Sequence, residues 1–266
     1  MHSLYLITGA TGGLGKAFAV ECGSRGWDLF VTDLLEDRLA LLAGGIERSQ
    51  GIEVHYKAAD LTQARSRAEL FGAFRDEGLR FRGLINVAGL DHEGMFLERN
   101  TDEITGILRL NIESSLLMIH SVLAFRDYSV PFRIINVSSL GAYFCMPVKA
   151  TYAASKRFLL DFSLAIRNEL REENVTVTVL CPAGLPTNQV CIDAIEAQGM
   201  MGHLTTENIG AVAHETVEAA VRRRAVVVPG LLNRVLLGLS GLVPARSAAD
   251  IIGTRWRAAQ QRRFQE

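Results

Sequence analysis

The segment LITGATGGLGKAF, residues 6 to 18, joins an apolar run to a cluster of glycines and then to a helical pattern. Its glycines, Gly9, Gly13 and Gly15, have the spacing G-x-x-x-G-x-G, a variant of the dinucleotide-binding fingerprint, with Thr11 and Leu14 between them. Glycine permits a tight turn and lets a pyrophosphate approach the backbone amides at a helix N-terminus. The segment therefore predicts a strand, a phosphate-binding turn and a helix.

The glycine pattern of this loop has two other possible interpretations. A Walker A loop would require a glycine five residues before Gly15 and Ser or Thr after Lys16, but Ala10 and Ala17 occupy those positions. The pattern therefore argues against a phosphoryl-transfer loop. The second alternative, in which the glycines serve only a turn, stays open at this level.

Short apolar runs alternate with longer segments of helical period along the rest of the chain. Continuous apolar runs are typical of strands covered on both faces. The expected strands are 3–8, 28–32, 53–56, 83–88, 133–138, 175–180 and 225–228. The expected helices are 13–25, 35–48, 63–77, 101–124, 150–172 and 206–223.

This alternation predicts an α/β fold with a Rossmann-like, doubly wound, parallel seven-stranded sheet in three layers, helices on both faces. No repeat, low-complexity tract or linker divides the chain. We expect residues 1–266 to form one dinucleotide-binding domain, with 231–266 as a C-terminal helical extension.

The composition narrows the class of protein. The 266 residues are 48% hydrophobic and 21% charged with a net charge of −1, which gives no electrostatic case for binding nucleic acid. The four cysteines are scattered, so we expect reduced thiols and no metal site. The N-terminal segment lacks a signal-peptide pattern, and Asn233 and Arg234 interrupt the longest apolar stretch, 231–243. We expect a soluble, cytoplasmic protein.

An acidic residue follows the second expected strand. Asp33 lies eighteen residues after Gly15, where a carboxylate can accept hydrogen bonds from the adenosine ribose and would repel a 2′-phosphate. Leu34 and Leu35 follow, where a 2′-phosphate would favour Arg. The pattern favours NAD as cofactor, with NADP as the alternative. A purely helix-capping Asp33 is the structural alternative.

Tyr152 and Lys156, in KATYAASKRF (149–158), are four residues apart in an expected helix, so their side chains share one face. A nearby ammonium favours the phenolate and should lower the pKa of the tyrosine toward the working range. The pair is therefore a candidate acid/base group. A core tyrosine beside a solvated lysine is the alternative.

Taken together, the motifs resemble those of the short-chain dehydrogenase/reductase family over about residues 3 to 230. They occur in the order TGATGGLG (8–15), Asp33, DL (60–61), NVAG (86–89), Asn111, NVSS (136–139), YAASK (152–156) and PAGLPT (182–187). An ordered set of this length is far more specific than any one motif.

The resemblance implies a nicotinamide cofactor and a role for each matching position. Asp60 and Leu61 would border the adenine, and Asn86, Ala88 and Gly89 would lie beneath the cofactor near its ribose. The residues implied at the nicotinamide carboxamide are Pro182, Leu185 and Thr187. Those implied in catalysis are Asn111, Ser139, Tyr152 and Lys156.

The implied reaction moves a hydride between the nicotinamide and an alcohol or carbonyl carbon, while Tyr152 exchanges a proton with the oxygen. Ser139, thirteen residues before Tyr152, would bond the substrate oxygen, and Asn111 would hold a water that links Lys156 to solvent. The alternatives are an inactive dinucleotide-sensing or scaffold protein of the same fold and a dehydratase or epimerase.

The chain departs from the family pattern at Ala183, where glycine is usual, and at Val87, where a second asparagine is common. Segments 140–150 and 191–208 should line or cover the substrate. Their apolar side chains favour a hydrophobic ketone or secondary alcohol: Tyr143, Phe144, Cys145, Met146, Met200 and Met201.

Two expectations concern partners. The resemblance implies a homodimer or homotetramer built largely from helices 101–124 and 150–172. The tail 231–266 should form an apolar helix of about three turns, a break at Pro244 and an arginine-rich end. It would dock on its own subunit or a neighbour, or alternatively lie on a membrane surface.

Overall fold

A computed structural model describes residues 3–187, 189–197, 199–240, 246–247, 249–250 and 252–254. Its centre is a parallel sheet of seven strands in the order β3-β2-β1-β4-β5-β6-β7. The strands are β1 (Leu4–Thr8), β2 (Leu29–Asp33), β3 (Val54–Ala58), β4 (Phe81–Asn86), β5 (Phe132–Val137), β6 (Val175–Leu180) and β7 (Val226–Val227). The expected fold class is confirmed. The order reverses between β1 and β4, which opens a crevice at the carboxyl ends of these strands.

Ten α-helices occur among the described residues. They are α1 (Gly13–Ser24), α2 (Glu36–Gln50), α3 (Ala64–Asp76), α4 (Thr101–Ile107), α5 (Ser115–Val122), α6 (Ala150–Glu169), α7 (Gln189–Ala197), α8 (Met200–Thr205), α9 (Ile209–Val221) and α10 (Leu231–Ser240).

Two separate cores cover the two faces of the sheet. On one face α1, α2 and α9 pack, with Phe18, Leu39 and Val217 buried against β1 and β2. On the other face α3, α5 and α6 pack, with Phe74 and Met118 fully buried. Each face of the sheet is covered by its own layer of helices, so the strands are buried on both sides. This burial explains why the strands are continuous apolar runs in the sequence. The three-layer architecture follows.

The expected helix 101–124 is interrupted. Residues Leu108–Ser114 form a π-helical segment between α4 and α5, and this segment contains Asn111. A π-helical turn inserts a residue and changes the direction of the side chains within it, which periodicity alone does not show. The helical stretch expected at 101–124 is present, and the π-helical turn inside it is what the sequence pattern did not show.

The stretch Thr101–Phe125 is also long and apolar enough, by length and composition, to cross a membrane. Its side chains Met118, Ile119 and Val122 are buried in the core against the sheet. That packing is typical of a core helix, so the stretch is weak grounds for a membrane span.

The sequence predicted the helices after β6 only in part. Segment 191–208, expected to line or cover the substrate, contains α7 and α8. The expected apolar tail helix is α10, which docks on its own chain: buried Asn233 donates to the Thr205 and Pro229 carbonyls, each at 3.0 Å. The predicted break at Pro244 and the end of the arginine-rich segment lie outside the described residues.

Candidate active site

The turn between β1 and α1 lies at the crevice where the strand order reverses. Gly9 has φ of 62°, in the left-handed region that favours glycine. A Cβ on Gly15 would lie 2.1 Å from the Gly9 carbonyl oxygen, so only glycine fits there. Helix α1 begins after Gly12, with no side-chain cap and no acidic residue in its first turn. Its N-terminal amides and positive dipole end fit a pyrophosphate.

Asp33, the last residue of β2, contacts this turn directly. Its Oδ2 accepts from the Thr11 amide at 2.9 Å and the Thr11 hydroxyl at 2.7 Å, and its Oδ1 accepts from the Leu34 amide at 2.8 Å. A carboxylate has about four acceptor positions, so roughly one remains for a ribose hydroxyl. The residues present therefore fit a dinucleotide. Asp33 does not cap α2, whose N-cap is Leu35 without a side-chain bond.

Asp60 and Leu61 lie just beyond β3, on the same edge of the sheet as Asp33. The Asp60 carboxylate accepts from the Thr62 amide at 2.9 Å and the Thr62 hydroxyl at 2.7 Å. The side chain of Leu61 is buried. Asp60 therefore builds the turn that leads into α3, and an adenine contact by this pair stays a prediction.

The NVAG segment is held from both sides. Thr8, at the end of β1, accepts from the Val87 and Ala88 amides at 3.2 Å each. The side-chain amide of Asn86 is buried and donates from Nδ2 to Oδ1 of Asn136, on β5, at 3.0 Å. The side chain of Asn86 thus joins two strands inside the sheet, and a ribose contact by Asn86 stays a prediction. The ordering role of Thr8 was missed from the sequence.

Asn111 ties three elements together. Its Oδ1 accepts from the Leu90 amide at 2.8 Å, and its Nδ2 donates to the Leu90 carbonyl and to Ser155 at 3.0 Å each. Both side-chain donor hydrogens are therefore used. A water on the route from Lys156 would have to bond the remaining Oδ1 lone pair or the main-chain carbonyl of Asn111.

Lys156 is buried on α6, with its amine beside Asn111 and Gly89: a Cβ built on Gly89 would lie 3.2 Å from the amine nitrogen. The amine donates to the Val137 carbonyl at 2.9 Å. Burial lowers the pKa of Lys156 to about 8, an effect that the Asp91 carboxylate opposes. The ammonium form predominates at neutral pH but is weakly held.

Tyr152 is half-buried one helical turn earlier, with its ring centroid 5.7 Å from the Lys156 amine nitrogen. Burial raises the pKa of Tyr152 above its ordinary range; Asp91 adds to the increase and a hydrogen bond with Ser139 opposes it. In the protein without cofactor the pKa of Tyr152 is thus raised, and the lowering expected from Lys156 together with an oxidised nicotinamide stays a prediction. Desolvation of the phenolate outweighs the neighbouring charge.

The two adjacent serines have different partners. The Ser138 hydroxyl is buried and donates to the Lys156 carbonyl at 2.7 Å, so it anchors α6 to the end of β5. The Ser139 hydroxyl accepts from the Gly141 amide at 3.1 Å and hydrogen-bonds Tyr152. Ser139 is therefore the serine beside the phenol, and its bond to a substrate oxygen stays a prediction.

The loop 182–187 closes over the glycine turn. A Cβ on Gly13 would lie 2.9 Å from the Thr187 carbonyl oxygen, and the Pro182 carbonyl accepts from the Leu140 amide at 2.7 Å. Leu185 is buried in the core beside α1. This places the segment implied at the carboxamide between the glycine turn and Ser139.

The expected substrate lining is only partly supported. Tyr143 packs against a buried cluster with Leu160 and Cys181, and it hydrogen-bonds the Cys181 thiol. Tyr143 is only partly buried, and its place in the substrate lining stays a prediction. Met146 packs on Gly141 next to Ser139, whereas Met200 is largely exposed. The side chain of Met201 lies outside those the structure describes.

A cavity of about 200 Å³ lies between the loop after β4 and the start of α6. Sequence reasoning missed it, because its walls come from distant segments. Most of the lining is apolar, including Met95, Phe96, Ile104, Ile107, Pro147 and Val148, with His92, Arg99, Glu103 and Thr151 as its polar side chains. Within the described part of the chain, no group of acidic, histidine and cysteine side chains could hold a metal ion.

The crevice, the glycine turn and the tyrosine–lysine pair are the features by which this chain resembles the short-chain dehydrogenases. A model of the short chain dehydrogenase family matches residues 3–191. The chain belongs to this family.

Curated relatives fall in the same family. The chain is 30% identical over 179 residues to a very-long-chain 3-oxoacyl-CoA reductase of Laccaria bicolor, covering 65% of this chain and 52% of the relative. It is 29% identical over 250 residues to human 17-beta-hydroxysteroid dehydrogenase type 3, covering 90% and 75%. The chain thus spans about half the length of the fungal reductase.

Solved structures show the same fold. A 7beta-hydroxysteroid dehydrogenase superposes with a TM-score of 0.84 at 23% identity, covering 95% of this chain and 97% of that one. A short-chain dehydrogenase from Sphingobium yanoikuyae in complex with NADPH gives 0.75 at 25% identity, covering 91% and 96%. Family membership and the fit of the glycine turn support a nicotinamide dinucleotide as cofactor.

Proposed function

We propose that the protein oxidises a secondary alcohol or reduces the corresponding ketone of a hydrophobic substrate, with Tyr152 as the general acid/base. The observation that carries the proposal is that four side chains lie next to one another in space near the glycine turn: Ser139, Tyr152, Lys156 and Asn111. This function is that of a short-chain alcohol dehydrogenase or carbonyl reductase.

When bound, the nicotinamide supplies or accepts the hydride. The chain would hold the dinucleotide by the amides of the glycine turn, by Asp33 at the adenosine ribose and by the 182–187 loop. In the reducing direction Tyr152 donates its proton to the substrate oxygen as negative charge develops there. The Ser139 hydroxyl stabilises the same oxygen by hydrogen bonding.

Lys156 supports the proton transfer from Tyr152 electrostatically. Its ammonium stabilises the phenolate that remains after proton donation. An oxidised nicotinamide adds a second positive charge, which would offset the increase in pKa that burial causes at Tyr152. Asn111 holds the Leu90 segment and Ser155 in place around the amine.

The substrate is proposed to be apolar because the cavity beside α6 is lined mainly by aliphatic and aromatic side chains. The relatives named above act on hydroxysteroids and 3-oxoacyl thioesters. A steroid-like or long-chain keto or hydroxy compound is therefore the proposed class.

NAD is the proposed preference over NADP. The Asp33 carboxylate is held rigidly toward the ribose by Thr11, so it cannot easily turn away from a 2′-phosphate. Exposed Leu34 and Leu35 follow it and supply no positive charge.

Tyr152→Phe tests the function. Turnover with a panel of a steroid ketone, a 3-oxoacyl-CoA and a simple ketone should fall by roughly 100-fold or more with either cofactor. Tyr128→Phe is the matched control, because this tyrosine is 74% exposed and lies in the loop before β5. Full activity of Tyr152→Phe would overturn the assignment, and cofactor binding with no turnover in the parent would favour a scaffold protein.

A further inference from the structure

An ion pair joins the loop after β4 to the start of α6. The Lys149 amine lies 2.6 Å from Asp91 Oδ2 and 3.9 Å from Glu93 Oε2. Lys149 is mostly buried, whereas Asp91 is partly exposed, with side-chain exposures of 12% and 39%. Lys149 lies three residues before Tyr152 in the chain, and Asp91 lies two residues after Gly89. The pair therefore connects the two segments that flank the proposed acid/base group.

The backbone reinforces the same connection. The Gly94 amide donates to the Val148 carbonyl at 2.9 Å. Val148 has φ of 70°, a left-handed conformation that is costly for a β-branched residue. Such a conformation persists only where its surroundings hold it, and here it immediately precedes Lys149. The start of α6 is thus fixed against the loop that carries Asp91.

Two ammonium groups lie at similar distances from the Tyr152 ring. The Lys149 amine nitrogen is 5.6 Å from the ring centroid, and the Lys156 amine nitrogen is 5.7 Å from it. Only the first of these is paired with a carboxylate at 2.6 Å. Opposite charges near a phenol act on its ionisation in opposite directions.

We propose that Asp91 and Lys149 form a positioning pair that sets the ionisation of Tyr152, with Lys149 favouring the phenolate and Asp91 opposing it. This inference rests on the proposed role of Tyr152. The pair holds the first turn of α6 in place and, because its two charges cancel, adds almost no net charge of its own beside the phenol.

The other groups around the phenol are accounted for. Ser139 bonds it from the end of β5, and Cys191 of α7 lies close enough to raise its pKa as a thiolate. Glu93, from the same loop as Asp91, faces Lys149. Among the described residues, Asp91 is the carboxylate that raises the pKa of Tyr152, and it also opposes the lowering of the pKa of Lys156.

The test compares Asp91→Asn, Lys149→Met and the double variant as their NAD⁺ complexes. The ultraviolet absorbance of phenolate is measured at one pH between about 8.5 and 10, and the same variant carrying Tyr152→Phe is subtracted. Asp91→Asn should raise the phenolate fraction of Tyr152 roughly three- to tenfold, and Lys149→Met should lower it by a similar factor. The double variant should return close to the parent, because the pair is removed without a change in net charge.

Lys149→Arg keeps the charge and should resemble the parent, even if Lys149→Met folds poorly. Shifts of opposite sign in the two single variants support the proposal. Equal phenolate fractions in all variants would overturn the proposal. Shifts of both single variants in the same direction would also overturn it, because they would indicate structural damage and not an effect of charge. The readout needs no substrate, so its failure is distinct from a failure of the Tyr152→Phe turnover test.

Discussion

The Lys156 amine donates to the Val137 carbonyl at 2.9 Å, inside the protein and beneath the proposed acid/base tyrosine. A lysine in this position is costly for the fold, since burial lowers its pKa to about 8. The fold carries this cost because the ammonium is placed where the proposed chemistry needs it.

Lys156→Met should therefore stabilise the protein while abolishing turnover. At pH 7 we expect the free energy of unfolding to rise by about 1–3 kcal/mol, less than the pKa shift alone implies because the Val137 carbonyl loses its donor. Equilibrium denaturation of parent and variant measures the difference.

The pH dependence of that difference has a definite sign. Between about pH 8 and pH 10.4 the unfolded state binds the Lys156 proton more tightly than the folded state, so this residue's penalty shrinks as pH rises. The stability gap between variant and parent should narrow across this window. A gap that stays constant from pH 7 to pH 10 would contradict a buried, destabilised ammonium.

Asp33→Asn should shift cofactor preference toward NADP. Removing the carboxylate charge removes the repulsion of a 2′-phosphate, so the ratio of the NADPH to the NADH dissociation constant should fall roughly tenfold, about 1.4 kcal/mol. Fluorescence titration with each reduced cofactor gives the ratio. Asp37→Asn, an exposed change in the first turn of α2, is the control and should leave the ratio nearly unchanged.

Gly15→Ala should destabilise the fold and weaken cofactor binding together. The added methyl would lie 2.1 Å from the Gly9 carbonyl oxygen, and backbone atoms on both sides cannot yield without opening the turn. We expect a loss of about 1–3 kcal/mol in thermal or chemical unfolding.

Gly45→Ala is the matched comparison, because Gly45 lies inside α2 with nothing near its Cβ position. That change should stabilise the protein by up to about 1 kcal/mol through helix propensity. Equal effects at the two glycines would show that the tight turn is not what restricts residue 15.

The expected oligomer also has a direct test. Phe158 and Leu164 are exposed on α6, with 39% and 40% of their surface accessible, and Leu117 is similarly exposed on α5. Phe158→Glu combined with Leu164→Glu should convert a dimer or tetramer into a monomer in sedimentation equilibrium. Leu41→Glu, on α2 at the opposite face, should not. An assembly unchanged by the α6 double variant would place the interface elsewhere.

Much of the fold and the site could be predicted from local patterns. The strands and the glycine turn are visible because burial on both faces imposes continuous apolar runs, and because a tight turn admits only glycine at positions such as Gly15. The spacing of Tyr152 and Lys156 likewise predicted a shared helical face, since both lie on α6.

The sequence did not show those features in which a residue's environment comes from distant segments. The pKa of Tyr152 depends on burial and on Asp91, sixty-one residues away in the chain. Asn111, inside the π-helical segment, has its hydrogen-bond partners in Leu90 and Ser155, which lie far from it in the chain. The contact of Tyr143 with Cys181, which follows β6, was likewise not visible in the sequence.

The sequence by itself determined the order of the elements, the dinucleotide turn and the identity of the groups available for proton transfer, since these follow from short-range sterics and periodicity. The tertiary structure decided how those groups ionise and which are free to react. Desolvation and charge–charge energies depend on distances between segments far apart in the chain, and only the folded packing sets those distances.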